Sequence, residues 1–300
     1  MEKKQSEWAT SMPFKEQLVV IKRLFAYAKP FKMTFIIAIG FALVLATINV
    51  LMPRILQTLI DRYLTTQSAT LQIILFFAML YLLGTILKAV IWFFQWFLYS
   101  NASLQSYQHI RVKLFEKLHT LGMRYFDQTP AGSVVSRVSN DTETLFEFWH
   151  VFLTVLTGIF AVVSSFIAMF QINQKIALLI LAFLPILGFV IWYYQSFSSR
   201  VYRQMREKLS QLNTKLNESI SGMQIIQQFR QERRFMKEFE ETNDEYLATR
   251  YAMIKMNSLL LGPIISLLYT FALAVVLTAF GFNAMQSPVE VGLIFAFTTY

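Results

Sequence analysis

Residues capable of covalent chemistry are few in this 300-residue chain, and none is spaced for it. His109, His119 and His150 share no i,i+4 pairing and have no clustered acid, which does not suit a metal ion. Cysteine is absent, so disulfides, thiolate catalysis and Cys-ligated metals are excluded. The phosphate cradle G-x-x-x-x-G-K-[ST] and the nucleophile elbow are both missing from the sequence. The chain is therefore expected to hold no catalytic residue, no metal and no cofactor of its own. What remains is binding chemistry, and polar segments built to meet a partner.

Two such segments stand out. Leu121–Phe148 reads LGMRYFDQTPAGSVVSRVSNDTETLFEF, and Leu216–Phe239 reads LNESISGMQIIQQFRQERRFMKEF. In the first, Thr129-Pro130 predicts a helix start, with Thr as cap and Pro at the first helical position. Gly132, between Ala131 and Ser133, lets another backbone come close. Asn140 with Glu143 resembles a capping box, so a fresh helix starting there and one unbroken helix from Val134 are both compatible with the pattern. Leading into the second, Met205, Leu209, Leu212, Leu216 and Ile220 form one apolar stripe on a charged helix. Gly222 ends it, and Gln231-Glu232-Arg233-Arg234 follows as a charged knot between Phe229 and Phe235.

The elements that must carry these segments are membrane helices. The chain is 55% hydrophobic and only 15% charged, against roughly 25% charged in soluble domains. Residues 1–32 are polar and basic, with Leu18, Ile21, Phe25 and Ala28 at helical spacing, an amphipathic interfacial helix or a plain juxtamembrane tail. Lys29-Pro30 is expected to end it. Apolar runs then predict spans over Met33–Pro53, Leu71–Tyr107 (interrupted by Lys88), Phe148–Gln174, Ile176–Ser199 and Met256–Phe282. Val289–Tyr300 predicts the start of a sixth. Residues 33–300 thus form one transmembrane domain. Connections at Ile60–Thr70, Asn173–Lys175 and Asn283–Pro288 are short. The alternate ones run to roughly fifty residues, and helical polarity continuing to Leu121 makes the second helix ~75 Å long. A twelve-residue stub cannot cross ~30 Å of hydrocarbon, which points to a fragment of a longer protein.

The net charge is +9. Its basic residues concentrate in Lys3–Lys32, Arg111–Arg137 and Arg200–Lys255, the positive-inside pattern of a multi-pass plasma-membrane protein with cytoplasmic N-terminus and long loops. They show no base-stacking aromatic interleaving on a soluble fold, which argues against nucleic acid. Trp92, Trp96, Trp192, Phe271, Met285 and Phe295 are candidate walls for an amphipathic substrate; facing lipid is their alternative. Lys88 lies ~25 Å along its helix from Leu71, either lining a cavity or snorkelling to headgroups.

With these residues in view, the chain resembles the transmembrane half of an exporter-type ABC transporter, most like one half of the bacterial heterodimeric multidrug exporters. Tyr125-Phe126-Asp127, Gly132, Ser136-Arg137 and Asn140-Asp141 are similar to that family's first intracellular-loop signature, with Tyr125 where Phe leads it. Glu218, Gly222, Ile226, Phe229 and Glu232 resemble the second, and Pro53 with Ile60-Asp61 resembles the end of its first span. The resemblance implies an all-α, six-helix domain, its sixth helix truncated here, with long cytoplasmic extensions. Two coupling helices, near Thr129–Arg137 and Ile226–Phe235, would seat in nucleotide-binding domains. It assigns that role to Asp127, Thr129, Pro130, Gly132, Ser136, Arg137, Asp141, Glu218, Gly222, Ile226, Phe229 and Glu232. It further implies a second half-transporter, heterodimeric or homodimeric, the lipid bilayer, a small amphipathic cargo, and alternating access. ATP and Mg would be used by a nucleotide-binding domain expected after residue 300. A lipid or peptide cargo, a secondary transporter and a membrane scaffold are the other readings.

Overall fold

Helix is the regular structure that a chain of apolar runs must adopt, because hydrocarbon offers backbone groups no other partner. The computed structural model describes residues 14–286 and 289–300, and among these there is no strand. The tail before residue 14 and the Ser287-Pro288 end of the expected third short connection lie outside the described residues. Among the described residues, five helices are long and apolar enough to cross a membrane. The chain divides into two compact units, 1–169 with 290–300, and 170–289.

In the first unit, α1 (Phe14–Ala28) leads through a 3-10 turn at Lys29–Phe31 into α2 (Lys32–Leu59). α1 therefore ends just before Lys29-Pro30, as expected, and the proline is accommodated in the 3-10 turn because Pro in a first turn has no amide to lose. A π-helical turn, Ile60–Leu64, extends α2 into the segment expected to be loop. The Thr65 and Thr66 hydroxyls donate to the Asp61 and Arg62 carbonyls at 2.7 Å, satisfying that helix end. α3 (Leu71–His119) has 49 residues, ~73 Å of helix, close to the expected length. After α4 (Met123–Gln128), α5 (Ala131–Ser136) passes through a π-helical turn at Arg137–Asp141 into α6 (Thr142–Ile172). The helix from Ala131 is thus unbroken, and Asn140 caps nothing: its amide reaches the Ser136 hydroxyl at 3.5 Å.

The core of this unit is an aromatic knot. Ala28, Phe35, Ala38, Tyr99, Ala102, Trp149 and Leu153 are buried together. The Tyr99 hydroxyl donates to the Trp149 carbonyl at 2.9 Å, a buried bond worth ~1 kcal/mol that ties α3 to α6. The Phe35 ring lies 5.1 Å from Tyr99 and 4.9 Å from Trp149, and Phe25 meets Trp149 edge-on at 5.3 Å.

The second unit takes in the last residues of α6 and then a one-residue turn. Asn173 caps α7 (Gln174–Leu181), its side-chain oxygen accepting from the Ile176 amide at 3.1 Å. The expected fourth span is broken at Ala182, and α8 runs Phe183–Ser221. Pro185 is the cause: it cannot donate to the Leu181 carbonyl, and its ring crowds it. α9 (Met223–Gln228), α10 (Glu232–Met256), a π-helical turn at Asn257–Leu261 and α11 (Gly262–Gln286) follow. Pro263 likewise leaves the Leu259 carbonyl without its helical donor, within that turn. α11 continues through Asn283, so the expected third connection is shorter than its sequence suggested.

Back in the first unit, α12 (Val291–Thr299) packs on α2. The Gly292 amide donates to Asp61 Oδ1 at 2.6 Å, a carboxylate placed at a helix N-terminus where the dipole favours it. Asp61 Oδ2 is buried without a partner among the described residues. A methyl group on Gly292 would fall 2.7 Å from both Asp61 Oδ1 and the Gln57 carbonyl. We therefore predict that Gly292→Ala lowers stability by about 1–3 kcal/mol, the usual cost of overpacking. Asp61→Asn, which keeps an acceptor and loses the charge, should cost less. Thermal unfolding in detergent checks both, and an unchanged midpoint for Gly292→Ala would contradict this contact.

Candidate functional site

The two polar segments become the tips of two helical hairpins. In the first unit the cross-links between α3 and α6 pair residues that are symmetrical about α4. Tyr99 meets Trp149, Trp96 faces His150 at 5.2 Å, and Tyr107 faces Phe146 at 6.4 Å. The turn of this hairpin therefore falls on Met123–Gln128. The short cross-helix lies there and not at Thr129–Arg137, which opens the long helix instead. Pro130 occupies the cap position and Thr129 makes no capping bond. Phe126 and Asp127 are exposed on α4, and Met123 is 74% exposed. Arg137 donates to the Tyr125 hydroxyl at 3.4 Å, so the tyrosine that replaces Phe helps tie the tip to the helix that follows. Ser136 is half-buried, while Gly132 and Asp141 are exposed. A side chain added at Gly132 would meet nothing within 4 Å.

In the second unit α8 and α10 form a ladder of the same kind. Tyr194 donates to Asn257 at 3.0 Å, Lys208 to Glu245 at 2.5 Å, and Lys215 to the Glu238 carbonyl at 2.8 Å. The turn falls on α9, which starts three residues before the expected Ile226–Phe235 and overlaps its beginning. Gly222 ends α8 as expected, its amide donating to the Glu218 carbonyl at 2.8 Å. Arg230 closes α9 with a left-handed backbone, φ 52°, and the Gln231 amide reaches back to the Ile226 carbonyl at 2.9 Å. Ile226 is buried, whereas Ile225 and Phe229 are 63% and 68% exposed. Exposed Glu232 begins α10, where a negative charge is favoured. An apolar hollow of about 290 Å³ opens beside α9, lined by Leu216, Met223, Ile226, Phe235 and Met236 among others. The apolar stripe of α8 is buried at Met205, half-buried at Leu209 and Leu212, and exposed at Leu216 and Ile220.

Both tip helices open on the same pattern, Gly-Met, four residues, Gln: Gly122–Gln128 and Gly222–Gln228. That repeat is the signal by which their true limits could have been read.

A recess of about 380 Å³ lies among α2, α3 and α6 of the first unit. Trp92 and Trp96 supply aromatic wall; Asn49, Gln95, Thr154 and Thr157 supply uncharged polar groups. Reading the spans for aromatic residues alone missed these four, which stand out as amides and hydroxyls inside apolar runs. Such a mixture suits a small amphipathic molecule. Lys88 and Phe295 are not part of the lining, although Lys88 stands one turn before Trp92 on α3. Trp192 and Phe271 belong to the second unit, where both are exposed and Phe271 meets Phe183 at 5.9 Å. The histidines stay apart, and no cluster of three metal-ligating side chains occurs among the described residues.

A family model described as the ABC transporter transmembrane region matches residues 35–300. The chain is 33% identical over 287 residues to exp8 of Streptococcus pneumoniae, which carries the name of an ABC transporter ATP-binding protein; this covers 95% of the chain and 48% of exp8. It is 32% identical over 282 residues to the multidrug resistance-like ATP-binding protein MdlB of Buchnera aphidicola subsp. Acyrthosiphon pisum, covering 94% and 48%. The chain spans about half the length of the curated relatives it matches.

One rung of the α8–α10 ladder makes a pH prediction. The hydrogen bond and charge of Lys208 hold the Glu245 carboxyl below its usual range. A depressed acid contributes stability above its unfolded pKa and loses it as pH falls through the folded value. Lys208→Gln should therefore melt below wild type at about pH 6 and above, with the gap closing toward about pH 3. A gap that persists unchanged at low pH would count against this pairing.

Proposed function

The chain belongs to the family of ABC transporter transmembrane regions, and from that premise we propose that it is the membrane-spanning part of an ATP-driven exporter of amphipathic compounds. The observation that carries this reading is the exposure of Phe126 and Ile225 on six-residue helices, and of Phe229 directly after the second, at the far ends of charged hairpins. Apolar residues presented there call for a protein partner. Nucleotide-binding domains are that partner, since the relatives carry ATP-binding in their names and are about twice as long. On this reading α4 and α9 are the coupling helices, and Asp127, Thr129, Pro130, Gly132, Ser136, Arg137, Asp141, Glu218, Gly222, Ile226 and Glu232 frame their seats.

Residues 33–300 then form the transmembrane domain, with residues 1–32 as its interfacial elbow. The N-terminus and both tips face the cytoplasm of a plasma-membrane protein. ATP and Mg bind beyond residue 300, in a domain containing the phosphate loop this chain lacks. A second half-transporter, most simply a different one, completes the cavity, and the two halves alternate between inward-open and outward-open states. The recess beside Trp92 and Gln95 contributes one wall of the cargo site. Hydrolysis moves the tips, and the rigid hairpins carry that motion to the spans.

The test is ATP-dependent uptake of a fluorescent amphipathic dye into inside-out vesicles holding the full-length protein, alone and with its genomic neighbour. Uptake only with the neighbour establishes a heterodimer, and uptake alone a homodimer. Hydrolysis without dye movement moves the cargo to lipid or peptide, and no hydrolysis in either case overturns the proposal. Phe229→Ala and Gly132→Leu should insert normally and keep hydrolysis, but lose uptake by about tenfold, the effect of ~1.4 kcal/mol lost at a seat. Because Gly132 has open space around it in this chain, any loss in that variant reports on the partner. Normal export by either variant would refute the coupling roles.

A further inference from the structure

A second recess, about 190 Å³, lies where α1 turns into α2 against α6. Its walls are Phe25, Phe35, Ile36, Ile39, Trp149 and Phe152, and Lys29 and Lys32 complete it. The two lysines are three residues apart, neighbours on one face of the helical turn, and both are exposed. No acid lines the recess. Glu147, the nearest acid in sequence on α6, is two residues from Trp149 and so points about 200° around that helix.

The back wall is the ring of Trp149, a residue only 1% exposed. Its indole N–H is shut off from even a water molecule, so the recess meets ring carbons and not that donor. Two cations at the mouth and apolar, aromatic sides ask for the same ligand. It is amphipathic, anionic at one end, with a hydrocarbon chain beside the charge.

We propose that this recess binds an anionic phospholipid from the surrounding bilayer. Its phosphate sits between Lys29 and Lys32, and an acyl-chain segment lies on Phe25, Ile36, Ile39 and Phe152. The site anchors α1 to α2 and α6 through a lipid, so the elbow is held by the composition of the membrane as well as by protein contacts. This is independent of the cargo and of ATP, and its failure would leave the export reading untouched.

The full-length protein carrying this chain would be placed in phosphatidylcholine nanodiscs containing chain-brominated phosphatidylglycerol, or chain-brominated phosphatidylcholine at the same mole fraction. Bromine quenches tryptophan on contact, and the Trp149 signal is the difference between wild type and Trp149→Phe. Several-fold stronger quenching by the phosphatidylglycerol is expected, with the preference erased in Lys29→Gln/Lys32→Gln. Equal quenching by the two lipids, no quenching by either, or a preference that survives the lysine replacements would overturn the proposal. Inorganic phosphate that competes as well as the lipid would reduce the site to a simple anion site and also overturn it. Should Trp149→Phe fail to fold, native mass spectrometry supplies the same decision from proteins that keep the knot. Phosphatidylglycerol should be retained over phosphatidylcholine by wild type, and not by the lysine variant.

Discussion

A helix in hydrocarbon has no water to repair a missing backbone bond, and each unmet group there costs several kcal/mol. Much of this structure follows from that constraint. Hydroxyls along the spans turn inward onto their own helices: Thr47 to Leu43, Thr85 to Tyr81, Thr270 to Ser266 and Thr278 to Ala274, all at 2.8–3.0 Å. Two of the prolines in the spans coincide with irregular backbone. Pro185 is preceded by the break at Ala182 and Pro263 by a π-helical turn. The irregular points of the fold are the places where the hydrogen-bond ladder had to be rewritten.

Beyond the apolar zone the rules change along the same helices. Near Tyr99 and Trp149 the α3–α6 hairpin is held by burial and a shielded hydrogen bond. Out on the arms the α8–α10 hairpin is held by Lys208–Glu245, an exposed pair whose like are individually weak and screened by salt. The apolar stripe therefore carries most of the arm. It thins toward the tip, where Leu216 and Ile220 are uncovered. The arm is firmest at its root and most adaptable where it presents α9.

Much of this was legible in the residues. Length and apolarity located the spans, Gly222 located the end of α8, and Asn173 located the tight turn. Two helices run past their expected ends: Ile60-Asp61 and Asn283 carry polar chemistry, yet a helix absorbs such residues wherever its hydrogen-bond ladder can continue. The tips were placed too late in the sequence because Thr129-Pro130 and the Gln231–Arg234 knot were the loudest local signals. The rungs that set the turn join residues 23 to 63 positions apart, and no local window contains them. The recess escaped for a related reason: Asn49, Gln95 and Thr154 become one surface only when three helices pack.

The rungs also bear on how such a chain can change length. Lys208 and Lys215 are seven residues apart on α8, as are their partners Glu238 and Glu245 on α10. Seven residues nearly complete two helical turns, so the two intervals are interchangeable modules facing each other. A deletion in one arm alone would rotate or misalign every rung beyond it and carry α9 with it. A matched deletion of seven in both would shorten the arm and leave the tip facing the same way. Insertions and deletions in these hairpins should therefore be inherited in matched pairs, and the reach of each tip should vary in steps of about 10 Å.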